Sequence, residues 1–296
     1  MNACIEAIFL HATAKKISVF ASVNGFEGLI DGNIVPVTQH NAIGISHKSG
    51  CVFGANRSPR LKTSAHFKKA VDNIKKHGFG CVIVLGGNGS IVGSGRLKSA
   101  GVNILFVPAT IDNDVPGYKN ALGFSSACES AVKHIDTIQT TMRTSERDHI
   151  VQLMGRDCNE LTLRVGQATF ADVIDMSGAR VTPEQVANVF KANRKMGKKS
   201  NMLLMQERKM ESYCEQTAND AKFLKDISQA AGDDNIRLSV LGYLQRGADP
   251  SCHDRLLAIS YGRATVDLIT KKQFGVGLSF AHSTVNILNI EPAPIP

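Results

Sequence analysis

Short uninterrupted apolar runs recur along this chain, separated by segments whose apolar residues fall at helical spacing. The runs within 17–32, 80–90, 102–110, 149–157, 200–207 and 237–247 predict strands leading into turns. The opening MNACIEAIFLHATAKK reads as a helix, as does SSACESAVKHIDTIQTTM. In 64–78, His66, Phe67, Ala70, Val71 and Ile74 lie near helical spacing and Gly78 supplies a stop. In 182–197, Thr182, Pro183 and Glu184 start a helix that Gly197 ends. Strands without polar interruption, alternating with helices, predict an α/β fold with mainly parallel sheets covered on both faces. Ligands of such sheets bind beyond the carboxyl ends of the strands. Strand after strand here ends in glycine, a carboxylate or arginine.

Composition narrows the classes. With 296 residues the chain can build one large domain or two smaller ones. It has no apolar run of about 18 residues that would span a membrane. Its start lacks a basic region and a small-residue cleavage site, so the opening helix is not expected to be a signal peptide. The seven cysteines are scattered and never spaced C-x-x-C, which points to reduced thiols in the cytoplasm. The nine histidines show no paired ligand spacing. A net charge of +8 suits nucleic acid, membranes or small polyanions. The basic clusters carry no interleaved aromatics, and with four tyrosines and no tryptophan, stacking platforms for bases are hard to build. A merely solvated basic face accounts for this charge better than nucleic acid does.

Three groups of residues carry chemistry. GGNGS at 86–90 joins a strand to a helix, where glycines let backbone N–H groups reach phosphate oxygens, although such turns also use glycine for geometry alone. VPATIDNDVPG at 107–117 sets Asp112 and Asp114 two residues apart past a strand, beside Thr110. One carboxylate could act as a base and the other hold a metal or cation, or both could form a helix-capping turn. Arg147, Arg156, Arg237 and Arg246 lie in neighbourhoods expected to converge at one sheet edge, which argues for an anionic substrate.

In order and spacing, GGNGS, PATIDNDVPG, LMGRDCNELTL, LLMQE and LGYLQRGADPSCHDRLLA resemble the signature blocks of the ATP-type 6-phosphofructokinases. The likeness runs from Met1 to about residue 285. It implies two three-layer α/β/α domains with mainly parallel sheets. The larger, nucleotide-side domain would be 1–123 plus 236–286, and the smaller, sugar-phosphate-side domain 124–235 plus 287–296, with the active site in the cleft between them. It implies transfer of the γ-phosphoryl group of ATP to the 1-hydroxyl of fructose 6-phosphate with Mg²⁺, in a cytoplasmic homotetramer. By that likeness Asp112 is the base, Thr110 and Asp114 flank the transferring group, and Arg156 neutralises its charge. The sugar phosphate falls to Met154, Gly155, Glu207, Tyr243 and Arg246, with Arg147 and Arg237 reaching in from a neighbouring subunit. Arg57, Gly87, Asn88, Gly89 and Ser90 fall to the nucleotide, and Asn88 and Asp114 to the metal.

The chain also departs from the pattern. It starts at the MN that follows the family's first strand and GGD-x-PG loop. Asn88 stands where the family carries an acid, and an amide is a weaker ligand for a hard dication. Tyr243 occupies a place where His is frequent, and Glu6 and Leu10 stand where bacterial relatives often have effector-binding arginines. Gly89 and Ala109 are small, as in the ATP-using group rather than the pyrophosphate-using one. The expected function is therefore a 6-phosphofructokinase. The alternative is a catalytically weak or inactive paralogue that binds fructose 6-phosphate as a regulatory subunit.

Overall fold

The computed structural model describes residues 1–155, 157–207 and 213–296, apart from the side chains of 213 and 214. The chain forms two compact units, Met1–Ser125 with Asp249–Pro296, and Ser126–Ala248. In chain order, α1 (Asn2–Ala14), β1 (Phe20–Ser22), α2 (Phe26–Asp31), β2 (Ile34–Pro36), α3 (Gln39–Ala42) and α4 (Ser64–Lys76) open the first unit. There follow β3 (Val82–Gly86), α5 (Asn88–Ser99), β4 (Ile104–Thr110) and β5 (Leu122–Gly123), and α6 (Phe124–Ser145) leads into the second unit. That unit holds β6 (His149–Leu153), α7 (Glu160–Ala168), β7 (Val173–Asp175), α8 (Pro183–Lys195), β8 (Met202–Gln206), α9 (Tyr213–Ala231) and β9 (Arg237–Val240). The first unit is completed by α10 (Cys252–Thr270), β10 (Val276–Ala281) and β11 (Thr284–Asn289).

The main sheet of the first unit runs β11-β10-β4-β3, with β5 beside the end of β4. β3, β4 and β10 are parallel, and β11 closes the edge antiparallel to β10. β4 shows why an unbroken apolar run reads as a central strand. Leu105 and Val107 face a cluster with Cys4, Ile8, Leu257 and Tyr261 of α1 and α10. Ile104 and Phe106 face the opposite cluster with Phe67, Val71, Ile74 and Leu97 of α4 and α5. With helices on both faces, the buried residues Ile104 to Pro108 of this run are all apolar.

The second unit has a wholly parallel sheet in the order β7-β8-β6-β9. Ile150, Leu203 and Met205 pack against Val186, Phe190, Phe223 and Ile227 of α8 and α9. On the other face α7 lies so close that a side chain on Gly166 would meet Ile174 and Leu204. Both units are thus α/β layers with mainly parallel strands, as the sequence implied.

Local readings shift in two places. Within 17–32 the strand is only Phe20–Ser22, and FEGLID forms a helix that buries Leu29 and Ile30. Within 237–247 the strand stops at Val240, and Gly242–Gln245 forms a 3₁₀ turn. The expected domain division also needs correction at its later boundaries. β9 pairs in parallel with β6, His149 opposite Arg237, so residues 236–248 belong to the second unit rather than the larger one. β11 pairs with β10 and Ile290 is buried in the first unit's core, so 287–296 belong there rather than to the smaller domain. Backbone pairing set both boundaries, and pairing leaves little mark on local sequence.

Candidate active site

In the first unit, β3 ends at Gly86 and α5 begins at Asn88. A Cβ on Gly86 would collide with the Ser90 side chain, and one on Gly87 would press on Thr110 Cβ at 3.3 Å. These two glycines let the helix start sit against the end of β4. Gly89 is different: its Cβ would meet nothing within 4 Å, so its small size leaves open room beside the first turn of α5. The first-turn N–H groups of a helix lack intrahelical partners and favour an anion.

The acidic loop stands next to that turn. Asn88 Nδ2 donates to Asp114 Oδ2 at 2.6 Å. The Asp112 N–H donates to Thr110 Oγ1 at 3.2 Å. Between the two acids, Asn113 adopts a left-handed conformation (φ 53°) and its Oδ1 accepts the Ala121 N–H at 2.7 Å. Val115 is buried in the core, and Tyr118 meets Phe106 edge-on with ring centroids 5.2 Å apart. The loop is therefore held from both sides, with Asp112 and Asp114 half-buried at its turn. Asn113 is a residue that sequence reading passed over. Its signal was an Asn between two Asp, a type that tolerates the left-handed region.

In the second unit, Met154 and Gly155 follow β6. The Met154 N–H donates to Gln245 Oε1 at 2.9 Å. Gly155 has φ 107°, and a Cβ there would lie 2.9 Å from the Cys158 carbonyl oxygen. Gln206 is fully buried: its Nε2 donates to the carbonyls of Gly155 and Cys158, and its Oε1 accepts the Ser177 N–H at 2.7 Å. The Glu207 N–H donates to Leu153 O at 2.8 Å, which sets Glu207 beside Met154. Gln206 and Gln245 were quoted within their blocks but not singled out. A glutamine closing the otherwise apolar LLMQ was the available signal.

Tyr243 is 80% exposed, and Arg246 Cζ lies 5.6 Å from its ring centroid, within cation–π range. These two residues, with Met154, Gly155 and Glu207, follow the carboxyl ends of β9, β6 and β8. Arg147 and Arg237 do not. They sit at the amino ends of β6 and β9, and both of their charges help to hold the His149 pKa down, after burial as the largest cause. A five-residue strand separates the ends by about 17 Å. The expected convergence of four arginines on one sheet edge is therefore corrected, because parallel strands put residues before and after them at opposite ends. Arg156 lies outside the described residues. Arg57 is exposed, and among the described residues it has no ion pair with the acidic loop. No cluster of three His, Cys, Asp or Glu forms among the described residues.

Comparison with protein-family models matches the phosphofructokinase family over residues 1–269. The ATP-dependent 6-phosphofructokinase of Natranaerobius thermophilus is 34% identical over 269 residues, 91% of this chain and 82% of that protein. That of Lactobacillus acidophilus is 33% identical over 290 residues, 98% of this chain and 88% of that protein. Among solved structures, phosphofructokinase from Saccharomyces cerevisiae matches with TM-score 0.86 and 25% identity over 98% of this chain, which spans 43% of the yeast chain. A pyrophosphate-dependent phosphofructokinase from Marinobacter aquaeolei shares the fold with TM-score 0.81 at 19% identity, covering 99% of this chain and 80% of that one.

Proposed function

This chain belongs to the phosphofructokinase family, and from that premise we propose that it transfers the γ-phosphoryl group of ATP to the 1-hydroxyl of fructose 6-phosphate, giving fructose 1,6-bisphosphate. The observation that carries the reading is the acidic loop, pinned by Asn113 and set against the start of α5. In this reading Asp112 takes the proton of the attacking hydroxyl. Thr110 and the first turn of α5 lie beside the phosphates, with Arg57, Gly87, Gly89 and Ser90 on the nucleotide side. Such chemistry depends on positioning and fixed charge more than on covalent help. The room left by Gly89 supports a nucleotide donor.

Mg²⁺ fits this donor set. Asp114 offers a hard carboxylate oxygen, Asn88 is within 2.6 Å of it, and substrate phosphates would complete the shell. When bound, it would neutralise charge on the phosphate oxygens. Asn88, by donating its amide to Asp114, orients that carboxylate rather than replacing the missing acid.

Met154, Gly155, Glu207, Tyr243 and Arg246 are assigned to the sugar phosphate, and Arg156 to charge on the transferred group. Arg147 and Arg237, at the other end of their sheet, suit the anion of a neighbouring copy, in a homotetramer. We place the protein in the cytoplasm. Among the described residues no helix is long and apolar enough to cross a membrane.

The test is a coupled assay for fructose 1,6-bisphosphate with ATP, fructose 6-phosphate and Mg²⁺, beside an Asp112→Asn variant. Turnover is expected to need ATP and to fall about 10³-fold or more in the variant. Equal rates in both would refute the assignment of Asp112. Absence of turnover, with fructose 6-phosphate still raising the Tm, would leave a sugar-phosphate binder.

A further inference from the structure

Tyr261, in the middle of α10, is the bulkiest fully buried side chain among the described residues. Its ring lies in the cluster with Leu105, Val107, Leu257 and Leu278. Apolar packing has no use for a hydroxyl there, and a buried hydroxyl without a partner is costly. This one has two partners on a single loop: it reaches the carbonyl oxygens of Lys119 and Asn120 at 3.1 and 3.0 Å. Burial pushes its pKa up, so the proton stays on and the hydroxyl remains a donor. A hydroxyl has one proton, which the two carbonyls share.

Lys119 and Asn120 form the return limb of the acidic loop. Ala109 and Thr110 of β4 pair with Leu122 and Gly123 of β5, so residues 111–121 leave the sheet and come back beside their starting point. The residue after Asn120 is Ala121, whose N–H donates to Asn113 Oδ1 at 2.7 Å. Asn113 in turn stands between Asp112 and Asp114. Asn120 and Asn113 both have left-handed backbones, at φ 55° and 53°. Backbone in that region persists where the surroundings hold it.

α10 is a fixed base for such a hold. A Cβ on Gly262, next to Tyr261, would lie 2.6 Å from Ala7 Cβ and 3.0 Å from the Ile8 nitrogen, so α10 and α1 touch closely at this point. At the start of α10, Asp254 Oδ1 accepts the Gly123 N–H at 3.0 Å. From β10, Ser279 Oγ accepts the Lys119 N–H at 2.9 Å, and Phe280 O accepts from Asn120 Nδ2 at 2.6 Å. The Phe280 N–H adds a long bond of 3.4 Å to Lys119 O. Ser279 and Phe280 thus hold mainly the donors of the limb, and Tyr261 holds its carbonyls.

We propose that Tyr261 is a positioning residue for phosphoryl transfer: its hydroxyl fixes the limb at Lys119 and Asn120, and through the Ala121–Asn113 bond it fixes the orientation of Asp112 and Asp114. The proposal rests on the catalytic reading of those two acids. Being fully buried, Tyr261 acts through the loop and not on a substrate. A displacement of about 1 Å in a reacting group can cost about 100-fold in rate. The loss belongs in kcat, because the residues assigned to the sugar phosphate lie in the second unit and the phosphate-side turn begins α5, and Tyr261 is bonded to neither.

Tyr261→Phe removes the oxygen and keeps the ring. Thr265→Val is the control, since Thr265 is equally buried on the same helix and its Oγ1 donates to the Tyr261 backbone carbonyl at 2.7 Å. Parent and variants are assayed as the full chain with ATP, fructose 6-phosphate and Mg²⁺, below their Tm, and hydrogen exchange is followed at the Ala121 and Gly123 amides. Tyr261→Phe is expected to lower kcat about tenfold or more, to leave both KM values within about twofold, and to speed exchange at those amides about tenfold or more. Thr265→Val should lower the Tm and do none of these. Added to Asn113→Gly, which keeps the positive φ but lacks Oδ1, Tyr261→Phe should lower kcat by less than about twofold further, because the two act in series. An unchanged kcat, unchanged exchange, an equal kcat loss in Thr265→Val, or losses that multiply in the double variant would each overturn the proposal. A parent that forms no fructose 1,6-bisphosphate would overturn the catalytic reading and the proposal with it, whereas an active parent matched by Tyr261→Phe would overturn the proposal alone.

Discussion

Asn88 and Asp114 meet at 2.6 Å, amide to carboxylate, where an acid at position 88 would set two negative charges face to face. Without a cation that pair repels, and with one it becomes a stronger ligand set. Asn88→Asp is therefore expected to lower the Tm in chelator, to show a larger Tm rise on Mg²⁺ titration than the parent chain, and to raise turnover about tenfold or more. Equal Mg²⁺ responses in the two proteins would remove the metal from this position. Gly155 gives a second prediction at the same scale. Its φ of 107° and the Cys158 oxygen 2.9 Å from a built Cβ leave no room for a side chain. Gly155→Ala should cost about 2 kcal/mol or more in a denaturant titration, and should weaken fructose 6-phosphate binding. Gly155 was legible in the sequence as part of LMGR. Gln206, which fixes the turn around it, was not, because its importance lies in two carbonyls and one N–H brought to it by tertiary folding.

Among the elements, α1 shows how one side chain can tie a helix to a distant loop. Glu6 accepts the N–H groups of Gly44, Ile45 and Ser46 at 2.9, 3.1 and 2.8 Å. Partial burial pushes its pKa up, but the backbone donors outweigh that and hold it below the usual carboxylate value. A carboxyl group whose folded pKa is depressed adds stability above its unfolded pKa and loses it as pH falls through the folded value. The Tm should accordingly decline on the acid side, from about pH 4.5 downward. Glu6→Gln should flatten that part of the profile and lower the Tm at neutral pH. An unchanged acid profile would show that the clamp contributes nothing in solution. The sequence marked Glu6 only as a departure from its relatives. The three N–H groups it serves lie 38 to 40 residues away and could not be read from it.

For the whole molecule, the second unit's parallel sheet separates two sets of anion-binding candidates. Arg246, Tyr243 and Gly155 follow the strands, whereas Arg147 and Arg237 precede them. If the second set serves a neighbouring copy, Arg147→Ala alone and Asp112→Asn alone should both be poorly active. Hybrids reassembled from the two should recover turnover, because an intact Asp112 then meets an intact Arg147 from the other chain. No recovery in hybrids shown to contain both chains would place Arg147 in its own subunit's site or in none.

The α/β class, the parallel strands and the acidic loop with its glycine turn were determined by the sequence alone, because each rests on local chemistry. A strand covered on both faces is mostly apolar, and glycines at 86 and 87 let the start of α5 approach its neighbours closely. Tertiary structure alone decided two matters. It assigned 236–248 and 287–296 to their units through backbone pairing, and it set Arg147 and Arg237 at the opposite end of one sheet from Arg246. Each depends on which strands lie side by side. Strand neighbours are chosen by long-range packing and hydrogen bonding, which no short stretch of residues encodes.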